Sequence, residues 1–161
     1  MKGVCLTGNR PQKIPFAENS RECEELKERL RSVVVSLIEE GYTRFISGMA
    51  LGSDIWFAEC VLSLKDVYPD IELEAAVPYI GQSDRLAVAD RFRYDRILRA
   101  CNEVTYVSDN YTKYCMNKRN RYMVDNSDVV IVINYAESGG TVNTKAYAEK
   151  KKKRIIDISR A

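Results

Sequence analysis

The sequence contains no histidine among its 161 residues. Histidine is the usual general base near neutral pH and the most common protein ligand of transition metals. Its absence excludes catalytic triads built on histidine and metal sites that require an imidazole. Any chemistry carried out by this chain must use carboxylates, hydroxyls, thiols, lysine, tyrosine or backbone amides.

The five cysteines are odd in number, and no two of them have the CxxC spacing. This pattern predicts neither a disulfide framework nor a zinc site. Reduced cysteines are typical of the cytoplasm, and the sequence has no apolar run long enough to span a membrane. We therefore expect a cytoplasmic chain with no membrane segment, no metal ion and no cofactor.

The charges almost cancel, since 25 basic and 23 acidic residues leave a net charge of +2. A balance this small does not by itself indicate a nucleic-acid-binding protein. The apolar fraction of 45% and the charged fraction of 30% are ordinary for a globular chain. At this length one core is large enough to be stable, so we expect a single domain over residues 1–161.

Short runs of β-forming residues alternate with longer segments of helical periodicity. This alternation is typical of βαβ units and predicts an α/β fold with a parallel sheet. Residues 129–134 are the clearest strand, because an uninterrupted apolar run is expected of a central parallel strand. The other predicted strands are 4–7, 44–47, 72–77, 103–107 and 154–158. The predicted helices are 20–40, 53–65, 83–100, 117–126 and 141–152. Asn19 or Ser20 would cap the first helix. Its buried face would contain residues at spacings of three and four, namely Cys23, Leu26, Leu30, Val33 and Leu37.

Glycine and hydroxyl residues follow four of the predicted strands. Ligands of open parallel sheets bind beyond the carboxyl ends of the strands, so these four loops would share one edge. Glycine lets the backbone approach a ligand closely, and a helix N-terminus with free N–H groups attracts phosphate. Arg10 has the geometry for a bidentate pair with phosphate. The four loops are 7–11, 47–54, 78–83 and 137–141.

Two common phosphate-binding motifs are absent from the chain. The pattern GxxxxGK[ST] does not occur, and no GxGxxG follows the first strand. ATP hydrolysis by a P-loop mechanism is therefore not expected.

Four segments carry a resemblance to a known group of proteins. They are residues 7–11, residues 47–54 with Ala58 and Glu59, residues 119–128, and residues 138–141 with Thr144. At these positions the chain resembles the SLOG superfamily, which joins the DprA/Smf and LOG proteins, and in particular its YpsA-like branch. The resemblance covers nearly the whole chain and implies a Rossmann-like three-layer α/β/α sandwich with a mainly parallel sheet.

The resemblance also implies a nucleotide-derived ligand over the strand ends, with phosphate held by the glycine loop before the last helix. It implies that Glu59 faces the sugar or the second loop. We expect nucleotide or phosphate binding by Gly8, Asn9, Arg10, Ser47, Gly48, Leu51, Gly52, Tyr79, Arg119, Asn120, Ser138, Gly139, Gly140, Thr141 and Thr144.

One difference from the motif of the LOG enzymes favours binding over catalysis. The LOG enzymes are phosphoribohydrolases with a PGGxGTxxE motif whose glutamate is catalytic, whereas residues 138–145 here read SGGTVNTK. The loop is closer to the DprA-like form, which binds and does not cut. The leading hypothesis is therefore a binding protein for a nucleotide-type small molecule that acts as a sensor, carrier or sequestering protein.

Two alternatives remain open. A nucleotide hydrolase or N-glycosidase would use Glu59 or Asp54 as base or nucleophile. Asp54 is equally explained as a favourable charge at a helix N-terminus, and a buried Glu59 needs a partner, for which Arg10 or a backbone N–H would serve.

The third hypothesis is a DprA-like protein that binds single-stranded nucleic acid. Aromatic side chains among cations stack on bases, although the same residues suit an ordinary loop or interface. The apolar helices, and the relatives implied by the resemblance, also suggest a homodimer. The residues concerned in the nucleic-acid hypothesis are Tyr106, Tyr111, Tyr114 and Tyr122, among Lys113, Lys118, Arg119 and Arg121.

Overall fold

A computed structural model of the chain describes residues 2–161 and shows one sheet of six strands with five α-helices in that range. The strands are β1 (Gly3–Gly8), β2 (Arg44–Ser47), β3 (Glu72–Val77), β4 (Glu103–Tyr106), β5 (Val129–Ile133) and β6 (Arg154–Asp157). The helices are α1 (Arg21–Glu39), α2 (Ser53–Leu64), α3 (Val88–Ala100), α4 (Cys115–Asp125) and α5 (Gly140–Lys150). The strand order is β4-β3-β2-β1-β5-β6, and every neighbouring pair is parallel.

Successive side chains of each strand point to opposite faces of the sheet, and each face packs against its own core. Val4 and Leu6 of β1 face a core shared with α1, α2 and α3, whereas Cys5 faces a smaller core shared with α4 and α5. In β5 the same alternation places Ile131 on the first face and Val130 on the second. The predicted Rossmann-like α/β/α arrangement is therefore confirmed. None of the helices within residues 2–161 has the length and apolar character needed to cross a bilayer.

The helix α1 begins where the sequence predicts. Ser20 is the N-cap, and its hydroxyl accepts a hydrogen bond of 3.2 Å from the backbone N–H of Cys23. The buried stripe contains Leu26 and Leu37 as expected, but it includes Val34 where the spacing favoured Val33. Val33 is partly buried against the same core, because an apolar stripe of about 100° or more can include two neighbouring residues.

The helix α3 begins at Val88, five positions later than predicted. Residues 79–87 form successive turns in which each of three amides bonds to the carbonyl three residues earlier. One of these turns contains Gly81 in the left-handed region, at φ +98°, which interrupts any helix there. The chain before α3 is therefore a shaped loop at the carboxyl end of β3.

The strand order creates a crevice between β1 and β5. The chain runs outward from β1 to β4 and then returns to place β5 on the other side of β1. The connections after β1 and β5 leave to opposite faces of the sheet, since α1 packs on one face and α5 on the other. Ligands of open α/β sheets bind at such a switch point, outside the carboxyl ends of the strands.

A buried carboxylate connects β3 to its neighbours. The Glu74 side chain is 1% exposed and accepts hydrogen bonds from Arg44, from the Thr105 hydroxyl at 2.8 Å and from the Tyr122 hydroxyl at 2.5 Å. Buried charges persist when they are paired in this way. Tyr122, which the sequence placed among the tyrosines of the nucleic-acid hypothesis, therefore fastens α4 to the sheet.

A second charged cluster joins α2 and α3 to the segment before α1. Arg93 of α3 donates two hydrogen bonds to Glu59 of α2, at 2.7 and 2.6 Å, and two more to Glu18, at 3.0 and 2.6 Å. Lys27 also pairs with Glu18 at 3.2 Å. The hydrogen bonds from Arg93 are the main reason why the pKa of Glu18 falls from 4.5 to about 2.

This shift predicts a pH-dependent contribution to stability. Because the pKa of Glu18 is lower in the folded chain than in the unfolded chain, ionised Glu18 stabilises the fold above pH 4.5, and that contribution is lost as the pH falls towards 2. Glu18→Gln should therefore lower the free energy of unfolding at neutral pH, with a deficit that closes on acidification. Urea denaturation across this range measures the effect, and a deficit that is constant with pH would contradict it.

Candidate functional site

A cavity of about 400 Å³ opens at the carboxyl ends of β1 and β5. Its walls come from the loop after β1, the start of α2, one side of α4 and the start of α5. We call it the rim cavity. The structure brings together eight of the predicted site residues in its lining, namely Gly8, Asn9, Arg10, Asp54, Arg119, Asn120, Gly140 and Thr141.

Asn9 joins the elements that form the rim cavity. Its side-chain amide nitrogen donates to Asn134 Oδ1 at 3.1 Å and to Thr141 Oγ1 at 3.4 Å, and its Oδ1 accepts from the Tyr135 N–H at 2.6 Å. Its main-chain oxygen accepts from the N–H and the hydroxyl of Ser53, at 3.3 and 2.8 Å. Buried Asn9 therefore positions the loop after β5 and the first turns of α2 and α5.

The first turn of α5 presents backbone amides at the cavity. Gly139 precedes it with φ +119°, a left-handed conformation that glycine adopts without strain, and no side chain caps the helix. The first N–H groups of a helix have no intrahelical partner and carry a partial positive charge. Lys13 lies beside this turn, because its Nζ donates to the Ser138 carbonyl at 3.3 Å.

A buried arginine forms the wall on the α4 side. Arg119 is 4% exposed, and it donates to the Gly48 carbonyl and, at 2.8 Å, to Asn120 Oδ1. No carboxylate within residues 2–161 forms an ion pair with it at contact distance. Burial lowers the pKa of Arg119, and the nearby charge of Asp54 offsets part of that effect.

Asp54 approaches the same side of Gly48 as Arg119 does. It is 5% exposed, and its Oδ2 accepts from the Ala50 N–H at 3.2 Å. Burial raises the pKa of this carboxyl, against the opposing attraction of Arg119. Of the residues described by the structure, Asp54 is the sole carboxylate in the lining of the rim cavity.

Ser47 fixes the conformation of the loop that contains Gly48. Its hydroxyl donates to the Asp54 carbonyl at 2.8 Å and accepts from the Met49 N–H at 3.2 Å. Met49 has a left-handed backbone, at φ 63°, which is uncommon for a residue with a side chain. The predicted residue Ser47 therefore serves the loop conformation and does not line the rim cavity.

The remaining predicted residues lie around the rim cavity. Leu51 and Tyr79 line a second cavity of about 240 Å³, which also contains Arg10. Thr144 lies in a groove between α4 and α5, and its hydroxyl donates to the Gly140 carbonyl at 2.7 Å. The residues that shape the backbone without lining the rim cavity are Ser47, Gly48, Gly52, Ser138 and Gly139.

Glu59 does not line the rim cavity. It faces α3, where Arg93 supplies the partner for which the sequence suggested Arg10 or a backbone amide. Its carboxylate is therefore engaged in the cluster that joins α2 to α3.

Six lining residues were not among the predicted site residues, although Thr7 and Ala50 lie within the predicted loops 7–11 and 47–54. The sequence could have predicted Lys13, because it is a cation three positions after Arg10 in the loop after β1. It could not have predicted Met116 and Met123, since methionine on an amphipathic helix is normally a core residue. The six residues are Thr7, Gln12, Lys13, Ala50, Met116 and Met123.

Comparisons with known proteins identify the family of the chain. The model of the YspA SLOG family (YpsA) matches residues 4–159. The chain belongs to the YspA SLOG family. UPF0398 protein BH1768 of Halalkalibacterium halodurans is 31% identical over 161 residues, which cover 96% of this chain and 82% of that protein. The resemblance to the SLOG superfamily is therefore confirmed.

Solved structures show the same fold in longer proteins. DNA processing protein A (DprA) of Streptococcus pneumoniae superposes with a TM-score of 0.66 at 17% identity, covering 97% of this chain and 50% of that one. DprA of Helicobacter pylori has the same TM-score at 22% identity, with 97% and 64% covered. This SLOG chain therefore spans between half and two thirds of the DprA chains.

The close packing around Gly48 predicts that a side chain at this position would destabilise the fold. A Cβ there would lie 2.5 Å from Arg119 Nη1 and 2.8 Å from Asp54 Oδ2, whereas a Cβ at Gly140 meets nothing within 4 Å. Gly48→Ala should lower the free energy of unfolding by about 1–3 kcal/mol through overpacking. The matched control Gly140→Ala should change it by less than about 0.5 kcal/mol. Chemical denaturation measures both, and equal effects would contradict the packing account.

Proposed function

We propose that this SLOG chain binds a phosphorylated, nucleotide-type small molecule in the rim cavity and acts as a sensor, carrier or sequestering protein. The observation that carries the proposal is Arg119, a buried cation in the cavity wall that lacks a carboxylate ion pair within the described residues. A buried charge is costly unless an opposite charge compensates it. A phosphate group would supply that charge and accept bidentate hydrogen bonds from the guanidinium.

Two further sources of positive potential support the same ligand. The uncapped first turn of α5 offers N–H groups at Gly140 and Thr141, the arrangement that holds phosphate at helix N-termini. Arg10 and Lys13 are exposed cations in the lining, available to a ligand that enters from solvent. The hydroxyls of Thr7 and Thr141 add uncharged hydrogen-bonding groups.

The position of Asp54 is compatible with an anionic ligand. An ionised carboxylate in the lining would repel phosphate, but the Oδ2 of Asp54 is already engaged with the Ala50 N–H. The cations Arg10, Lys13 and Arg119 outnumber this one carboxylate among the described lining residues. The cavity as a whole therefore favours an anion.

A thermal-shift screen with mono-, di- and cyclic nucleotides and ADP-ribose tests the proposal. A ligand at 100 times its dissociation constant stabilises the fold by ~2.7 kcal/mol, which corresponds to roughly 5–10 °C in a chain of this size. Arg119→Gln and Lys13→Met should each weaken binding by about tenfold or more, because a hydrogen bond to a charged group contributes ~1.5–3 kcal/mol. Glu59→Gln is the control, since this carboxylate lies outside the rim cavity.

Lys13→Met keeps the test decisive if Arg119→Gln fails to fold, because Lys13 is exposed. The proposal would be overturned if no nucleotide shifted the melting temperature. It would also be overturned if both variants bound a shifting nucleotide as tightly as the wild-type chain.

A second candidate function is N-glycosidic cleavage of the bound nucleotide. Asp54 favours it, because a buried carboxyl with a raised pKa in a cavity is a typical general acid. Glu59 does not support cleavage, because it pairs with Arg93 and lies outside the rim cavity. Free base released by the wild-type chain and not by Asp54→Asn would support cleavage over binding alone.

Binding of single-stranded nucleic acid is the remaining alternative. The Helicobacter pylori neighbour is described by its single-stranded DNA binding mode. Tyr111 and Tyr114 of this chain are each 66% exposed, and Lys113 lies 5.5 Å from the ring centroid of Tyr114. Stacking on these rings would give an affinity for oligonucleotides that falls steeply with salt.

A further inference from the structure

The second cavity adjoins the rim cavity, because Arg10, Gln12, Ala50 and Met116 line both of them. With volumes of about 400 and 240 Å³, the pair has the size of a site for a ligand larger than phosphate. Arg10 lies at the junction, where its guanidinium contacts the Met116 sulfur at 3.7 Å.

The two cavities have different groups in their walls. The rim cavity contains Arg119, Asp54 and the α5 amides, whereas Met49, Leu51 and Leu86 form an apolar part of the wall of the second cavity. Tyr79 adds an aromatic ring, and the ring of Tyr111 packs edge to face against it, with centroids 5.3 Å apart and planes at 82°. Tyr79 therefore brings to the cavity wall an aromatic ring on which a flat ligand group can stack.

Met49 is held in place at a conformational cost. Its left-handed backbone, at φ 63°, is maintained by the Ser47 hydroxyl on its own N–H and by the Asp54 carboxylate on the N–H of Ala50. Such strain persists where the surrounding structure imposes it, and it concentrates at binding sites. The same loop thus presents Asp54 to one cavity and Met49 to the other.

Gln82 supplies an oriented polar group in the second cavity. The Tyr94 hydroxyl donates to Gln82 Oε1 at 2.7 Å, which turns the amide nitrogen of Gln82 into the available donor. That nitrogen makes no hydrogen bond to another of the residues 2–161. A ligand ring with an acceptor on its edge would satisfy it.

We propose that the second cavity is a base subsite, in which Tyr79 stacks on the flat ring of a nucleobase and Gln82 donates to an acceptor on its edge. The inference rests on the proposed function, because the phosphate of the same ligand would occupy the rim cavity. Arg10 would lie alongside the sugar that connects the two groups.

Isothermal titration calorimetry with AMP, GMP, CMP, UMP and ribose 5-phosphate separates the subsite from the phosphate site. At least one nucleotide should bind the wild-type chain more tightly than ribose 5-phosphate. Tyr79→Ala should weaken that nucleotide by roughly 5- to 100-fold, the range for stacking of one base on an aromatic side chain, and leave ribose 5-phosphate unchanged. Tyr79→Phe keeps the ring and should keep the wild-type affinity.

The outcomes distinguish the two proposals. Equal affinities of the wild-type chain for ribose 5-phosphate and for all four nucleotides would overturn the base subsite and leave the phosphate site standing. The same holds if Tyr79→Ala weakens ribose 5-phosphate as much as the nucleotide, or weakens neither. If none of the five compounds binds the wild-type chain, the proposed function and the base subsite both fail.

Discussion

The hydrogen bonds of Asn9 are the constraint on which the rest of the site depends. β1 and β5 are neighbours, but the chain leaves them towards opposite faces of the sheet. Asn9 bridges this divergence, since its side chain holds Tyr135 and Thr141 while its carbonyl holds Ser53. A buried amide satisfied on both ends specifies one arrangement of its partners, because any other would leave polar groups unpaired. The crevice at the switch point is therefore a fixed cavity.

Within this frame, two buried ionisable side chains meet at the same side of a glycine. Arg119 and Asp54 both approach the space where Gly48 lacks a Cβ, yet neither neutralises the other through a direct ion pair. Burial acts on both groups, lowering the pKa of the arginine and raising that of the aspartate. A chain selected for stability alone would replace them with apolar residues, since buried ionic groups seldom repay their desolvation. Buried ionic groups of this kind are expected where function is favoured over stability.

Most helices and strands could be predicted from the spacing of apolar residues, because this spacing determines which local structure buries them. The strand at 72–77 was predicted to the residue, and the buried run at 129–134 exceeds β5 by one position. The start of α3 was missed because turns at 79–87 share the composition of a helix. The strand order could not be read from the sequence, since it depends on which faces the helices cover.

The lining residues in loops that follow strands could be predicted from the sequence. Those that depend on how helices pack against one another could not. Gly8, Asn9 and Gly140 were found through the strand-end rule, and Arg119 only through the family resemblance. The partner of Glu59 was misjudged, because the proximity of α3 to α2 brings Arg93 to it across 34 positions of sequence. Met116 reaches the cavity through the same kind of long-range packing.

The most direct measurement is a crystal structure of the chain grown with a nucleotide that stabilises it. Our account predicts phosphate density between the first turn of α5 and the guanidinium of Arg119, within reach of Lys13. A nucleotide bound elsewhere, with the rim cavity filled by water alone, would contradict the account.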